Sequence, residues 1–284
     1  MIPWLEPGTL SAGCRPIMHQ SPRINALELA TRIGFAARGL MYAAIAYLVL
    51  RLGRTEDNQG ALAFIESAGG DVVLGIMAIG FVGYGVWRLS EAAIDTEGHG
   101  TGAKGIAVRV GGAVSGLIHL ALAWFSIRLG AGRESAAGDS TAEGASTVMT
   151  LPGGPALLMI AAVALAGVGL YQLIKAVKLG FLKHLEAKAA RQAWVAWAGR
   201  LGYLARSVVF VAIALFLWRA GTHLRAEEAG GIERALDTLP HWPRILVAIG
   251  LLLFGIFSLV EAIYRRIDQP DVIRRLERQA RSHF

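Results

Sequence analysis

One apolar stretch decides the fold of this chain: TRIGFAARGLMYAAIAYLVLRLG, residues 31–53. It carries an arginine near each end, and a glycine follows two residues after each of these arginines. Hydrophobic residues fill most of the space between them. The run is long enough to cross a bilayer as a helix, which takes about 20 residues. The stretch therefore predicts a transmembrane helix with an arginine at each interface, where the long side chain reaches polar surroundings.

The same pattern returns twice, as VRVGGAVSGLIHLALAWFSIRLG (108–130) and GRLGYLARSVVFVAIALFLWRAG (199–221). A second apolar run follows each copy, and the ends of these runs also align. They read GYGVWRLSEA (83–92), GVGLYQLIKA (167–176) and LFGIFSLVEA (253–262). Self-similarity along a chain marks a repeat architecture. The sequence thus predicts an all-α membrane protein made of three tandem two-helix hairpins.

The composition agrees with a membrane protein. Hydrophobic residues make up 54% of the chain and charged residues 17%, and the mean hydropathy is +0.49. Soluble domains carry about 25% charged residues. Six runs are long and apolar enough to span a bilayer: 33–52, 72–90, 110–129, 155–174, 201–218 and 245–264. No stretch between them is long enough for a separate soluble domain.

Lysine and arginine are concentrated on one side of the predicted spans, which places both termini in the cytoplasm. Every hairpin then begins and ends inside, so the three copies run parallel and predict a pseudo-threefold bundle. We expect the outer segments 61–67 and 232–239 to be short helices and the loop 131–147 to be flexible. The predicted divisions are a cytoplasmic tail (1–30), hairpin 1 (31–93), hairpin 2 (108–178), a cytoplasmic amphipathic linker along the inner membrane surface (179–198), hairpin 3 (199–265) and a basic cytoplasmic tail (266–284).

Two arginines, Arg38 and Arg206, lie inside the predicted spans of hairpins 1 and 3. A charged residue at the bilayer centre costs about 2.5–3.5 kcal/mol on insertion scales, and less nearer the interface. Such a residue therefore marks a candidate site and needs a partner.

Acidic partners are available on the second helices. Glu91 and Glu261 occupy matching places in hairpins 1 and 3, whereas hairpin 2 has a lysine there and a serine in place of the arginine. This correlation predicts an Arg–Glu pair within each outer hairpin, Arg38–Glu91 and Arg206–Glu261. Pairing between hairpins, such as Arg38–Glu261, satisfies the charges equally well. The cluster either fixes the helix register or binds an anion or lipid headgroup at the inner leaflet.

The first helix of hairpin 2 carries Ser115 and, one turn later, His119; Tyr42 replaces the histidine in hairpin 1. These residues are candidates for lining a pore or relaying protons, because histidine changes its protonation state near neutral pH. A neutral histidine bonded to a neighbouring helix is the alternative. The sequence places no carboxylate at mid-membrane to pair with it.

Several chemistries find no support in the sequence. It contains no phosphate-binding loop, metalloprotease motif or nucleophile elbow, and no cluster with metal-ligand spacing. Its single cysteine, Cys14, excludes an internal disulfide. The net charge of +7 is explained by basic residues that flank the spans, and we expect no binding of nucleic acid. No catalytic residue, metal or cofactor is predicted.

The tandem motifs resemble a bacterial membrane family called domain of unknown function 1206. They are R-x-G-x-x-A-R-G in the first helices and aromatic-x-x-x-E-A at the ends of the second helices. The likeness covers residues 31–265, and hairpin 2 departs from it at Ser115 and Lys175. The resemblance implies a transmembrane helix pair that occurs three times and a location in the bacterial plasma membrane. It supplies no activity, substrate or catalytic residue.

Two classes of function remain open. One is a non-enzymatic membrane scaffold or accessory subunit, which sparse intramembrane polarity and short loops favour. The other is a small channel or transporter with a path along the pseudo-threefold axis, lined by Arg38, Ser115, His119 and Arg206. The expected partners are membrane lipids and another membrane protein or a second copy of the chain. A lipid-modifying enzyme has no set of residues behind it.

Overall fold

The computed structural model describes residues 26–95, 100–133 and 140–266. Within them, six helices are long and apolar enough to cross a membrane, which confirms the predicted multi-pass architecture. In chain order the described α-helices are α1 (Ala26–Tyr47), α2 (Asn58–Ile94), α3 (Ala103–Gly130), α4 (Ser140–Met149), α5 (Gly154–Lys178), α6 (Ala187–Ala190), α7 (Ala193–His223), α8 (Ile232–Asp237) and α9 (His241–Tyr264). The six spans are α1, α2, α3, α5, α7 and α9. Both tails, except Ala26–Ala30 and Arg266, lie outside the described residues.

Local sequence sets the outer ends of the first hairpin. α1 continues into a π-helical turn, Leu48–Leu52, and stops at Gly53, whose φ of 64° suits a residue without a Cβ. Asp57 then caps α2 by accepting the backbone N–H of Gln59 at 2.8 Å. Gly70, with a φ of 72°, breaks α2 into a short outer segment and the membrane span.

Each of the three outer loops contains a helical segment. The predicted outer segments 61–67 and 232–239 fall in the first part of α2 and in α8. The expectation of a flexible middle loop is wrong from Ser140 onward, where α4 begins. Its Ala145 is 3% exposed in a small apolar cluster with Leu158 of α5 and Ala220 of α7, so packing stabilises this helix.

Contacts between hairpins repeat cyclically. The second helix of each hairpin packs on the first helix of the next: α2 on α3, α5 on α7, and α9 on α1. The last contact joins hairpin 3 back to hairpin 1. The six spans therefore follow one another around the predicted pseudo-threefold axis rather than forming three independent pairs.

The same small residues form all three of these interfaces. A Cβ added to Gly39 of α1 would lie 2.8 Å from the carbonyl oxygen of Gly255 on α9, so the two backbones touch. At the α5–α7 interface a serine replaces the first-helix glycine, and its hydroxyl donates to a backbone carbonyl at 2.9 Å. The facing pairs are Gly85–Gly116, Gly169–Ser207 and Gly255–Gly39.

The inner boundary arginines also act across these interfaces. Each donates to backbone carbonyls in the last turn of the preceding hairpin's second helix, where carbonyls lack helical partners. We call this end of the bundle the capped end. The bonds are Arg32 to Ile263 at 2.8 Å, Arg109 to Ala92 at 2.7 Å and Arg200 to Ala176 at 3.2 Å.

Packing within hairpins is not uniform. In hairpin 1 a Cβ on Gly80 would lie 2.8 Å from the backbone nitrogen of Gly34, and in hairpin 3 a Cβ on Gly202 would lie 2.7 Å from the Cα atom of Phe254. For the equivalent Gly111 of hairpin 2, no atom of the described chain lies within 4 Å of an added Cβ. α3 and α5 do not pack along each other as the other pairs do. Among the described residues the ring of helices is therefore open laterally between α3 and α5, which the repeat pattern did not predict.

The linker between hairpins 2 and 3, predicted to be amphipathic and to lie along the inner membrane surface, contacts the protein core. It forms a short 3-10 helix, Gly180–His184, and the single turn of α6. Phe181 and Leu185 are each 2% exposed, because they pack into the main core. Glu186 donates its backbone N–H to the carbonyl of Tyr264 at 2.9 Å. Thus the linker packs against the protein at the end of α9.

Candidate functional site

Arg38 is buried and fully engaged at the α9–α1 interface. Its Nη2 atom donates to Oε2 of Glu261 at 2.6 Å, and its Nε atom donates to the hydroxyl of Ser258 at 3.2 Å. Its Nη1 atom donates to the hydroxyl of Tyr84 on α2 at 2.9 Å. The ion pair therefore joins hairpin 3 to hairpin 1, with support from both neighbours of α1.

The other oxygen of Glu261 is also occupied. Oε1 accepts from Arg265 at 2.7 Å, and the side chain of Glu261 is 2% exposed. The Arg38 guanidinium lies over the rings of Phe35 and Phe254, at 4.8 and 5.1 Å from their centroids. Buried carboxylates persist where hydrogen bonds and opposite charges compensate for lost water, as they do here.

The predicted pair Arg38–Glu91 is wrong. Glu91 pairs with Arg88, one turn earlier on α2. The other predicted pair, Arg206–Glu261, is also absent from the structure. The reason is the cyclic packing: a second helix meets the first helix of the next hairpin at this depth, so the open alternative Arg38–Glu261 is the pair that forms.

Arg206 contacts aromatic rings instead of a carboxylate. Its guanidinium carbon lies 4.4 Å from the ring centroid of Phe254, 4.9 Å from that of Phe210 and 5.3 Å from that of Tyr42. Among the described residues, none of the Asp or Glu side chains forms an ion pair with it. Its Nε atom is buried without a hydrogen-bond partner in this part of the chain. Cation–π contacts hold the arginine, but they leave its hydrogen-bonding capacity unused.

Equivalent positions at the three interfaces carry different charges. At each interface the residue equivalent to Arg38 lies on a first helix, and two residues one turn apart lie on the second helix of the preceding hairpin. Glu261 is the acid at the Arg38 interface, and a lysine takes its place at the Arg206 interface. The sets are Arg38–Ser258–Glu261 at the α9–α1 interface, Ser115–Arg88–Glu91 at the α2–α3 interface and Arg206–Gln172–Lys175 at the α5–α7 interface. The first two sets are neutral, and the third carries two positive charges.

The third set has further unused polar atoms. Gln172 is 5% exposed, and its Oε1 atom has no hydrogen-bond partner among the described residues. The Nζ atom of Lys175 lies 4.7 Å from the ring centroid of Tyr171 and 5.8 Å from that of Tyr203, one turn before Arg206. Buried amides are normally bonded. At the α2–α3 interface the Nε atom of Arg88 is likewise buried without a partner among the described residues. The α5–α7 interface therefore differs from the α9–α1 interface in hydrogen bonding as well as in charge.

Ser115, His119 and Tyr42 do not form one site. His119 is 9% exposed, and its Nδ1 atom lies 2.7 Å from the carbonyl oxygen of Ser115. A carbonyl only accepts, so Nδ1 holds the proton. The imidazole ring packs on Tyr84, with centroids 4.3 Å apart, and its Nε2 atom has no partner in the described chain. Tyr42 instead packs on Phe254, at 5.0 Å between centroids, beside Arg206.

These side chains fill the centre of the bundle. Tyr84 contacts both His119 and Arg38, and Phe254 contacts both Arg38 and Arg206. The residues that sequence reasoning missed are Tyr84, Arg88, Gln172, Ser258 and Arg265. Three of them, Arg88, Gln172 and Ser258, align with one another in the repeat. Comparison of each first helix with the preceding second helix would have identified these three.

Two shallow grooves lie outside this centre, near the capped end. The larger, of about 240 Å³, is lined by Leu173, Ala176, Val177, Arg200 and Leu204. Its walls are apolar, and its arginine is bonded to the carbonyls of the α5 terminus. The groove therefore offers contact with lipid chains but no free polar chemistry. In the described residues no group of His, Cys, Asp and Glu side chains is arranged to hold a metal ion.

Comparison with known proteins agrees with the repeat. One family, described as Domain of Unknown Function (DUF1206), matches residues 33–95, 110–178 and 201–265. This chain belongs to the DUF1206 family. Its members' three-part pattern coincides with the three hairpins, so the resemblance stated from the motifs is confirmed.

One curated relative in this comparison is an uncharacterised protein of Bacillus subtilis (strain 168), named YxxB. It is 28% identical over 249 residues, which is 83% of this chain and 90% of the relative. No solved structure matches the chain. Neither the description of the DUF1206 family nor the name of this relative indicates an activity.

Proposed function

We propose that this DUF1206 protein is a non-enzymatic scaffold or accessory subunit of the bacterial plasma membrane, with both termini in the cytoplasm. The proposal rests on a contrast between the packed centre of the bundle, around Arg38, and the side of hairpin 2 between α3 and α5, which we call the open flank. Hairpins 1 and 3 pack tightly around Arg38, whereas the two helices of hairpin 2 stand apart.

The filled centre favours a fixed frame over a moving path. Arg38 is bound by groups from two other helices, and the rings of Tyr42, Tyr203 and Phe254 pack edge to face beside it. Transport along the pseudo-threefold axis would require these groups to separate and the buried ion pair to open. Breaking such a pair costs about 3–5 kcal/mol when one partner is lost.

The open flank offers a surface to a membrane partner. In the most apolar window of α5, 22% of the residues are buried inside the protein, and in that of α3 28% are, against 67% in α1. Helices in lipid associate through close packing of small residues. Within the described part of the chain, nothing lies within 4 Å of a Cβ added to Gly111 of α3 or Gly167 of α5, so a helix of another membrane protein, or of a second copy, can approach there.

The cytoplasmic placement of the termini rests on the excess of lysine and arginine at the capped end. The non-enzymatic assignment rests on the lack of a catalytic motif in the sequence. Membrane lipids are the other expected partners, because exposed apolar side chains cover much of α3 and α5.

Site-specific photo-crosslinking in native membranes tests the scaffold. A photoreactive residue at Val114 or Val163, on the open flank, should give one protein adduct of defined mass. The same residue at Leu215 of α7, which is also 56% exposed, serves as the matched control and should give none. Equal patterns at all three positions, or solute flux through proteoliposomes of the pure protein above that of empty vesicles, would contradict the proposal.

A further inference from the structure

We propose that the linker between hairpins 2 and 3 and the two grooves beside it bind an anionic phospholipid. The exposed basic side of the linker contacts the headgroup, and the grooves between α5 and α7 receive an acyl chain. In the orientation proposed above, this lipid belongs to the inner leaflet. The inference specifies one of the lipid contacts expected for this protein. It needs no protein partner, so its failure and that of the scaffold are separate results.

The linker has an apolar side and a basic side. The apolar side packs into the main core, and its residues recur every four positions: Phe181, Leu185 and Ala189. Lys183, Lys188 and Arg191 are exposed, and none of them forms an ion pair with a described residue. We call these three residues the basic face. Because the apolar side is fixed on the core, the basic face remains available to a partner.

The excess of positive charge is specific to this linker. Between the end of α5 and the boundary arginine, residues 179–200 include four lysines or arginines and one acidic residue. The corresponding segment between hairpins 1 and 2, residues 95–109, includes two basic and two acidic residues. Clusters of four or more basic residues beside a membrane helix bind anionic headgroups, since each cation is attracted to the negative surface. The second linker meets this condition and the first does not.

The two grooves lie directly beside the linker. The smaller groove, of about 150 Å³, is lined by Leu179, Ala193, Ala196, Trp197 and Arg200. The chain leaves this groove at Leu179 and returns to it at Ala193, so the linker borders it. Arg200 also lines the larger groove, which continues between α5 and α7 to Leu173 and Leu204. Together the grooves form an apolar path from the linker into the membrane span.

The apolar path selects a lipid over an acidic protein. Trp194 and Trp197, at the start of α7, are 55% and 56% exposed. Tryptophan side chains favour the boundary between membrane and water. The Trp197 ring lies 5.3 Å from the guanidinium carbon of Arg200, where the two grooves share a wall. A phospholipid fits both parts of the surface: its phosphate pairs with exposed basic side chains, and its chain covers apolar walls.

Photoreactive lipids test the proposal. The purified protein is placed in phosphatidylcholine nanodiscs that contain a small fraction of phosphatidylglycerol or phosphatidylcholine with a diazirine in one acyl chain. Mass spectrometry then locates the labelled residues after illumination. Labelling beside the grooves, at Leu173 and Leu204, should be about tenfold stronger with phosphatidylglycerol, because several cations attract its headgroup.

A variant without the basic face should lose this preference. Lys183→Gln, Lys188→Gln and Arg191→Gln are combined in one chain, and the ratio of the two lipids should fall to about twofold or less. The control combines Arg51→Gln, Arg128→Gln and Arg219→Gln, which remove the same charge from exposed residues at the opposite end of the spans. This control should keep the tenfold ratio.

Equal labelling of wild-type protein by the two lipids would overturn the proposal and favour an acidic protein as the partner of the basic face. An unchanged ratio in the linker variant, or an equal loss in the control, would also overturn it. Salt covers the case in which the linker variant does not fold: at about 1 M, screening should lower the wild-type ratio. A ratio that resists salt would contradict the headgroup contact. None of these results depends on crosslinking at Val114 or Val163.

Discussion

The α9–α1 and α5–α7 interfaces have one backbone geometry and opposite chemistry. Each brings a small residue of a first helix against a glycine of a second helix, and each is closed by a capping arginine. At the first, Arg38 meets Glu261; at the second, Arg206 is matched by Lys175. The repeat therefore sets the backbone packing of the helices through its glycines and capping arginines. The charge at the neighbouring positions differs from one interface to another.

The substitution with the largest predicted effect removes the ion pair of the α9–α1 interface. Glu261→Ala strands Arg38, whose side chain is 9% exposed, and also removes one partner of Arg265. We expect a loss of about 3–5 kcal/mol in the free energy of unfolding. Unfolding in mixed micelles with increasing SDS measures it. Glu56→Ala, which removes an ion pair with the 66% exposed Arg54, should cost about 0–1 kcal/mol. Similar losses in both variants would contradict the buried pair.

The next prediction tests the shared geometry. Gly39→Ala places a Cβ 2.8 Å from the carbonyl oxygen of Gly255, and backbone atoms on both sides cannot yield without separating the helices. A loss of about 1–3 kcal/mol is expected, by the same unfolding measurement. Gly111→Ala is the control, since open space surrounds that glycine and alanine favours a helix. An equal loss at Gly111 would mean that α3 and α5 do pack together.

A third prediction concerns the arginine caps, which both interfaces share. Arg200→Ala removes donors to the carbonyls of Ala176 and Val177 and should cost about 1–2 kcal/mol. Arg32→Ala at the α9–α1 interface should cost at least as much, because Arg32 makes the same two kinds of carbonyl bond and also pairs with Glu28. Arg219→Ala, at the opposite end of the span from Arg200, should have little effect. A cost at Arg32 smaller than that at Arg200 would show that the caps are not one repeated device.

The smallest predicted effect concerns the difference in charge between the α9–α1 and α5–α7 interfaces. Lys175→Glu should raise the free energy of unfolding by about 0.5–1 kcal/mol, since it places a carboxylate at the position that Glu261 holds beside Arg38. The thermal midpoint, followed by circular dichroism, measures this change. A variant less stable than wild type would remove the basis for comparing the two interfaces.

Much of this fold could be predicted from the sequence, because membrane spans and repeats can be recognised from local composition and repeated motifs. The boundary arginines and glycines of 31–53 gave the spans, their number and the cyclic symmetry. The pairing of Arg38 could not be decided, since three aligned copies show which positions are equivalent but not which helix lies beside which. The correlation of Ser115 with Lys175 pointed to pairs within hairpins. The backbone contact of Gly39 with Gly255 instead brings Arg38 to Glu261.

The opening in hairpin 2 was hidden for a similar reason. Gly111 and Ala164 fit the small-residue pattern that closes hairpins 1 and 3, so composition alone predicts contact there. What differs is the neighbour: Val168 takes the place of Tyr84 and Phe254, whose rings fill the centre beside the arginines. Valine in place of an aromatic residue reduces the side-chain volume at this position. Whether the two helices then still meet depends on tertiary packing, which sequence periodicity does not show.

The capping arginines also carry a consequence for how the chain matures in the membrane. A ribosome delivers hairpin 1 first, yet the acceptors of Arg32 and the carboxylate for Arg38 belong to α9, the last helix synthesised. Until α9 inserts, two cations of α1 have no partner from it, and Gly39 presents bare backbone to the lipid. The bonds that hold Arg32 and Arg38 to the rest of the bundle can therefore be completed only after the last helix has inserted.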